Sequence, residues 1–132
     1  MNAEYVSGAW LACQDIVAGD CLSWTEPVWG GSRACPCMIG SRSIVAIVER
    51  DSYGSQLGQH TLSLRVQAAG GMDAPLKGSR ILRKARNVYR NQPQRLQWRD
   101  ETARDARADE KHTRGDAARA RRLMLADALL MR

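Results

Sequence analysis

Two apolar runs on either side of a turn-rich stretch fix most of what this chain can become. Ile44-Val45-Ala46-Ile47-Val48 is continuous and largely β-branched, the pattern of a strand covered on both faces. Leu62, Leu64 and Val66 alternate with Thr61, Ser63 and Arg65, the pattern of a strand with one face in water. Between them Asp51-Ser52-Tyr53-Gly54 and Gly58 supply turn chemistry, so the two runs are expected to pair as an antiparallel hairpin. Ala69-Gly70-Gly71 and Pro75 then close that unit. A sheet built on this hairpin needs large side chains to cover it, and the chain has no Phe. Aromatic packing therefore falls on Trp10, Trp24, Trp29, Trp98 and three tyrosines.

Around the hairpin the pattern is less regular. Ala3 to Gln14 reads as a short helix with Tyr5, Val6, Trp10 and Leu11 inward, although Gly8 weakens it. Gly19-Asp20 reads as a turn feeding a strand from Cys21 to Trp24. Pro27, Gly30, Gly31, Pro36 and Gly40 then make residues 25–41 read as a long loop, and loops of that length are often functional. Trp24 and Trp29 stand at its entrance, where exposed indoles would stack on bases or grip a partner protein and buried ones would serve the core.

The C-terminal part carries the charge. Eight cations and no carboxylate fall between Lys77 and Arg99, while the segments on either side hold four cations against seven carboxylates and eight against seven. A local excess of this kind draws polyanions. From Arg80 to Arg90 a helix capped by Ser79 gathers Ile81, Leu82, Ala85, Val88 and Tyr89 on one side and Arg80, Arg83, Lys84, Arg86 and Arg90 on the other. A strand is the rival reading, against which Ile81-Leu82 breaks alternation. From Trp98 onward Ala, Arg, Asp and Glu predominate, which predicts a solvated helix supported by Asp100 with Arg104 and Glu110 with Arg114. Gly115-Asp116 is expected to divide it, and the Leu and Met residues from Leu123 onward would fold back on the sheet or meet a second copy in a homodimer.

These readings give an α+β fold: a small antiparallel sheet, curled toward a partial barrel, in a β-rich part over 1–76, and a basic helical part over 77–132 packed on it within one domain. No stretch is long and apolar enough to span a membrane, and the first residues lack the features of a secretory signal, so a cytoplasmic setting is expected. Reduced thiols follow for Cys13, Cys21, Cys35 and Cys37. Cys35-Pro36-Cys37 is too tightly spaced for a usual zinc motif, and a site shared with Cys21 and His60 would need the fold to assemble it. No metal or other cofactor is expected.

Catalytic machinery is hard to assemble from two isolated histidines, His60 and His112, and no phosphate-cradling glycine pattern is present. A separate reading is a small nuclease using Glu49, Asp51 or His60, with the two carboxylates beside Arg50 placed to bind a divalent ion at a strand end. The expected function is non-enzymatic binding of DNA or RNA, with contacts from Arg80, Arg83, Lys84, Arg86, Arg90 and Arg95 and stacking by Tyr89 or Trp98. Five neutralised phosphates would give a slope of about −4 for log K against log salt. Three Gly-Ser-Arg tripeptides, at 31–33, 40–42 and 78–80, offer further phosphate ligands or simple turns. The alternative is a small regulator or inhibitor that docks its basic face on an acidic protein surface, with Trp24 and Trp29 as anchors.

Overall fold

A computed structural model describes residues 4–51 and 61–130. Its elements are β1 (Tyr5–Ala12), β2 (Cys21–Gly31), β3 (Pro36–Arg50), β4 (Thr61–Gly71), β5 (Arg80–Lys84), α1 (Ala85–Arg90), β6 (Gln94–Trp98) and α2 (Glu101–Leu130). The six strands form one antiparallel sheet in the order β1-β6-β2-β3-β4-β5, with open edges at β1 and β5. The fold is α+β as the sequence implies, and the sheet does not close into a barrel. The turn residues 52–60, His60 among them, lie outside the described residues.

The β3–β4 hairpin forms the centre, with Val48 opposite Leu64 and Ala46 opposite Val66. Ile44, Ala46 and Val48 are buried while Val45 and Ile47 are half-buried, so the run expected to be covered on both faces is fully covered on one. That face carries Leu22, Trp24, Leu62 and Leu64 as well, and Ala85, Val88, Ile81 and Tyr89 close over it. The α1 helix thus serves as a lid on the apolar side of the sheet.

Four expectations about local structure are corrected. Residues 5–12 form an edge strand, because Gly8 takes a φ of 73°, outside the helical region, and the pairing with β6 shifts register between Tyr5 and Trp10. Residues 25–41 are mostly the two arms of the β2–β3 hairpin and not a loop. Trp24, Glu26 and Val28 alternate inward, and Pro27 is tolerated because β2 pairs with β6 only through Leu22 and Ser23, leaving an edge without a ladder partner beyond them.

In the segment from Arg80 to Arg90 the strand reading holds for the first half. Ile81 packs on the core while Leu82 is 61% exposed, so alternation survives with Leu82 facing outward. The helix begins only at Ala85, after an extended Lys84, and Ser79 donates to the Leu76 carbonyl instead of capping it. Gln92, at a φ of 51°, and Pro93 end it. Finally, α2 runs unbroken through Gly115 and Asp116. Asp100 caps its first turn by accepting from the Thr102 and Ala103 amides.

The first half of α2 is held to the body by ion pairs. Arg104, expected to pair with Asp100, donates through Nε and Nη2 to the fully buried Asp20, and Lys111 Nζ reaches Asp15 Oδ1 at 2.6 Å and the Ile16 carbonyl at 2.7 Å. Arg114 joins Asp51 to Glu110. Beyond Gly115 the helix has mostly exposed side chains, including Leu123, Met124, Leu125 and Leu129. No helix among the described residues is long and apolar enough to cross a membrane.

Candidate nucleic-acid interface

The eight cations of the basic segment do not form one strip. β5 divides them by its alternation: Arg80 and Lys84 leave the sheet on the face of exposed Leu82, and Arg83 leaves it on the face of core-packed Ile81. Arg80 donates to Glu49 at 3.1 Å, beside Arg65, which pairs with the same carboxylate. Arg95 is clamped by Glu101 through two hydrogen bonds of 3.0 Å. Its neighbour Glu101 sits below the usual carboxylate range because Arg95 donates to it, against a smaller opposing push from burial.

The two aromatic groups assigned to stacking lie inside the fold. Trp98 is buried, donates its indole N–H to Asp20 Oδ1 at 2.9 Å, and meets Tyr5 edge-on. Tyr89 packs on the core, and its hydroxyl accepts from the Ile16 amide. Trp24 is buried too, whereas Trp29 is 63% exposed. With no Phe in the chain, Trp24 is drawn into the core beside Ile44, and Trp98 is drawn against Tyr5 and Asp20.

What the fold does bring together is a cleft of about 420 Å³ between β2 and α1, lined by Glu26, Pro27, Trp29, Arg83, Asn87, Arg90 and Asn91. Its architecture follows from local sequence. The unpartnered edge of β2 supplies Glu26, Pro27 and Trp29, and the spacing 87, 90, 91 puts three polar side chains on one face of α1. Arg86 stands one turn before Arg90, exposed like it, and neither has a carboxylate partner among the described residues.

Glu26 is the centre of the cleft's electrostatics. It is 8% exposed and accepts from Trp24 Nε1 at 2.9 Å, Arg42 Nε at 2.6 Å, and Arg83 Nε and Nη2 at 3.1 Å each. Burial pushes its carboxyl up, but the hydrogen bonds from Arg83, Trp24 and Arg42 outweigh this and hold it below its ordinary value. One carboxylate against two guanidiniums leaves a fixed positive charge at the cleft, to which Arg90 adds another. Sequence reasoning missed Glu26, and it named Arg42 only as part of a Gly-Ser-Arg tripeptide, because nothing local ties position 26 to positions 42 and 83. Asn87 and Asn91 are readable from the sequence as hydrogen-bonding groups of the basic stretch, together with Gln92, Gln94 and Gln97, and of these the two asparagines line the cleft.

The other motifs are taken up elsewhere. Two of the three Gly-Ser-Arg arginines, Arg42 and Arg80, are bound to Glu26 and Glu49. Glu49 serves Arg65 and Arg80, while Asp51 is buried and accepts from the Ala18 amide and Arg114, so the two carboxylates share no site. Cys35 and Cys37 are exposed at the hairpin tip, and Cys37 opposes Gly30, nine residues or about 30 Å of strand from Cys21. Burial pushes the Cys13 and Cys21 thiols up to about 11. His112 lies against Asp15 at 3.0 Å, and no group of three metal-ligating side chains occurs among the described residues.

The chain is similar to the zinc finger CCCH domain-containing protein 62 of Oryza sativa subsp. japonica, with 29% identity over 120 residues. The match covers 86% of this chain and 17% of that protein, so the chain corresponds to a small part of it. No solved structure matches. Residues 18–98, which take in β2 to β6, α1 and the whole cleft, match the family described as a domain of unknown function (DUF7699), and the chain belongs to that family.

Proposed function

We propose that this domain binds nucleic acid without catalysis, through the cleft and the adjoining face of α1. The observation that carries the reading is the contrast among the cations: Arg80 and Arg95 are tied in ion pairs to Glu49 and Glu101, while Arg86 and Arg90 stand exposed without a carboxylate partner among the described residues, beside a cleft lined by Arg83. Arginines offer paired donors to phosphate oxygens, and unpaired ones do so without first breaking an ion pair. Zinc fingers are common nucleic-acid-binding modules, and the similarity to a protein named for one supports the same direction.

The geometry revises the salt dependence. Two or three phosphates, met by Arg86, Arg90 and Arg83, give a slope of about −2 to −3 for log K against log salt, in place of about −4 for five. Fluorescence anisotropy with labelled oligonucleotides between 50 and 300 mM salt measures it, and the double substitution Arg86→Ala, Arg90→Ala should weaken binding and flatten the slope by about 1.5 to 2. A flat salt response in the unaltered chain removes the reading.

A protein partner is the second reading, favoured by the hairpin arm, where Trp29, Met38 and Ile39 are all more than half exposed. Pull-down of a defined protein that survives nuclease treatment and is lost on Met38→Asp would select it.

A further inference from the structure

We infer that the cleft between β2 and α1 takes an unpaired base of a single-stranded nucleic acid, with the Trp29 indole as its stacking surface; this rests on the nucleic-acid reading above. An indole held 63% in water on a β-strand is costly, and it contrasts with Trp24 and Trp98, which are buried, and with Tyr5 and Tyr89, which are half-buried. Here it borders a cleft whose volume, about 420 Å³, falls within the roughly 300–1,000 Å³ of small-ligand sites. The cleft is of the right scale for a base with its sugar.

The polar groups around it suit a base edge. Asn91 donates one Nδ2–H to the Asn87 carbonyl at 2.9 Å, which leaves its second N–H as a donor and its side-chain oxygen as an acceptor. The side-chain amide of Asn87 is exposed and offers both a donor and an acceptor. Arg83 is held flat by Glu26 and by the Leu82 carbonyl at 2.9 Å, so its guanidinium is fixed before anything binds. Arg90 stands at the same cleft to meet the phosphate that follows the base.

Duplex cannot use this arrangement. In a double helix the base faces are covered by their neighbours and only the edges are open, so an indole in a cleft reaches a face only when the base is unpaired and splayed out. Single strand and duplex should therefore separate, even though both present phosphates to Arg86 and Arg90.

The test compares three labelled probes at fixed salt: an eight-nucleotide single strand, a blunt duplex of the same sequence, and the single strand with abasic sites throughout. The single strand should bind at least about 10-fold more tightly than either of the others, and Trp29→Ala should erase that advantage with a loss of roughly 10- to 100-fold. Trp29→Phe should keep most of it. Because Trp29 is outside the core, its variants should melt with the parent, which circular dichroism checks. Equal affinity for single strand, duplex and abasic strand, with Trp29→Ala neutral, overturns base insertion and leaves nucleic-acid binding standing. Salt-insensitive failure to bind any probe removes both.

Discussion

β2 begins and continues with the same chemical device used to opposite ends. Asp20, just before the strand, holds Arg104 through paired hydrogen bonds of 2.8 and 3.0 Å and the Trp98 indole at 2.9 Å. Glu26, six residues on, holds Arg83 through paired bonds of 3.1 Å and the Trp24 indole at 2.9 Å. The difference lies in what surrounds each trio. Asp20 is fully buried and Arg104 nearly so, and together they fasten α2 to the sheet. Arg83 keeps a quarter of its side chain exposed, and Glu26 takes a second arginine, so the surplus charge faces an open cleft. A buried carboxylate can therefore close a structure or aim a cation, depending on whether its partner can still reach solvent.

The sharpest way to break that comparison is to remove Asp20. The Asp20→Ala variant leaves Arg104 charged in a site that excludes water and orphans the Trp98 N–H and the Val17 amide, which should cost about 3–5 kcal/mol in urea unfolding. Adding Arg104→Met should recover a good part of this, since the unpaired charge is then gone. Next in size is Gly19→Ala. Gly19 sits at a φ of 99°, and an added Cβ would lie 2.8 Å from the Trp98 ring, so the loss should be about 2 kcal/mol. A Gly19→Ala protein as stable as the parent would show that the Asp20 side of the molecule is looser than its hydrogen bonds imply.

Glu26→Gln should cost less, about 1–3 kcal/mol, because Arg83 and Arg42 can turn toward water. Its signature is in pH. The folded-state value of Glu26 is depressed, so its contribution is fully present above its ordinary value of about 4.3 and is lost as pH falls through the lower folded value. The stability gap between parent and Glu26→Gln should be constant near neutrality and close progressively in acid below about pH 4. The same variant should weaken binding to oligonucleotides, since Arg83 loses the group that holds it flat across the cleft. Unchanged affinity would place the cleft outside the binding surface.

How far these regions could be read from the chain follows from the range of the forces in each. The β3–β4 hairpin was legible because alternation and β-branching act between neighbours in sequence, and Val48 does meet Leu64 in the pairing they imply. Residues 80–90 were not, because Ile81-Leu82 is ambiguous until one knows that Leu82 faces out and that β4 lies alongside at the Leu64–Ile81 rung. The excess of charge between Lys77 and Arg99 was visible, but its neutralisation was not. Arg83 finds Glu26 across 57 residues and Arg80 finds Glu49 across 31, distances at which sequence spacing says nothing. Of the arginines expected at the interface, Arg83, Arg86 and Arg90 are gathered around the cleft and α1, and the tryptophan that reaches it is Trp29, assigned in advance to a partner surface.

The smallest expected effect is the most discriminating about the cleft itself. Arg80 and Arg90 belong to the same basic run and carry the same charge, so a binding surface defined by net charge alone would lose as much from one as from the other. Arg80 leaves the sheet on the Leu82 face and spends its charge on Glu49, while Arg90 lines the cleft without a carboxylate partner among the described residues. At 0.15 M salt exposed charges are screened beyond about 8 Å, so Arg80 contributes little to the potential on the far side of the sheet. Arg80→Ala should therefore change stability by no more than about 0.5 kcal/mol and oligonucleotide affinity by less than about twofold, whereas Arg90→Ala should lose roughly 5- to 10-fold. Parallel titrations of the two variants at one salt concentration decide the matter. Matching losses would mean that phosphates are met over the whole basic segment, and the difference between Arg80, tied to Glu49, and Arg90, without a carboxylate partner among the described residues, would no longer explain where nucleic acid binds.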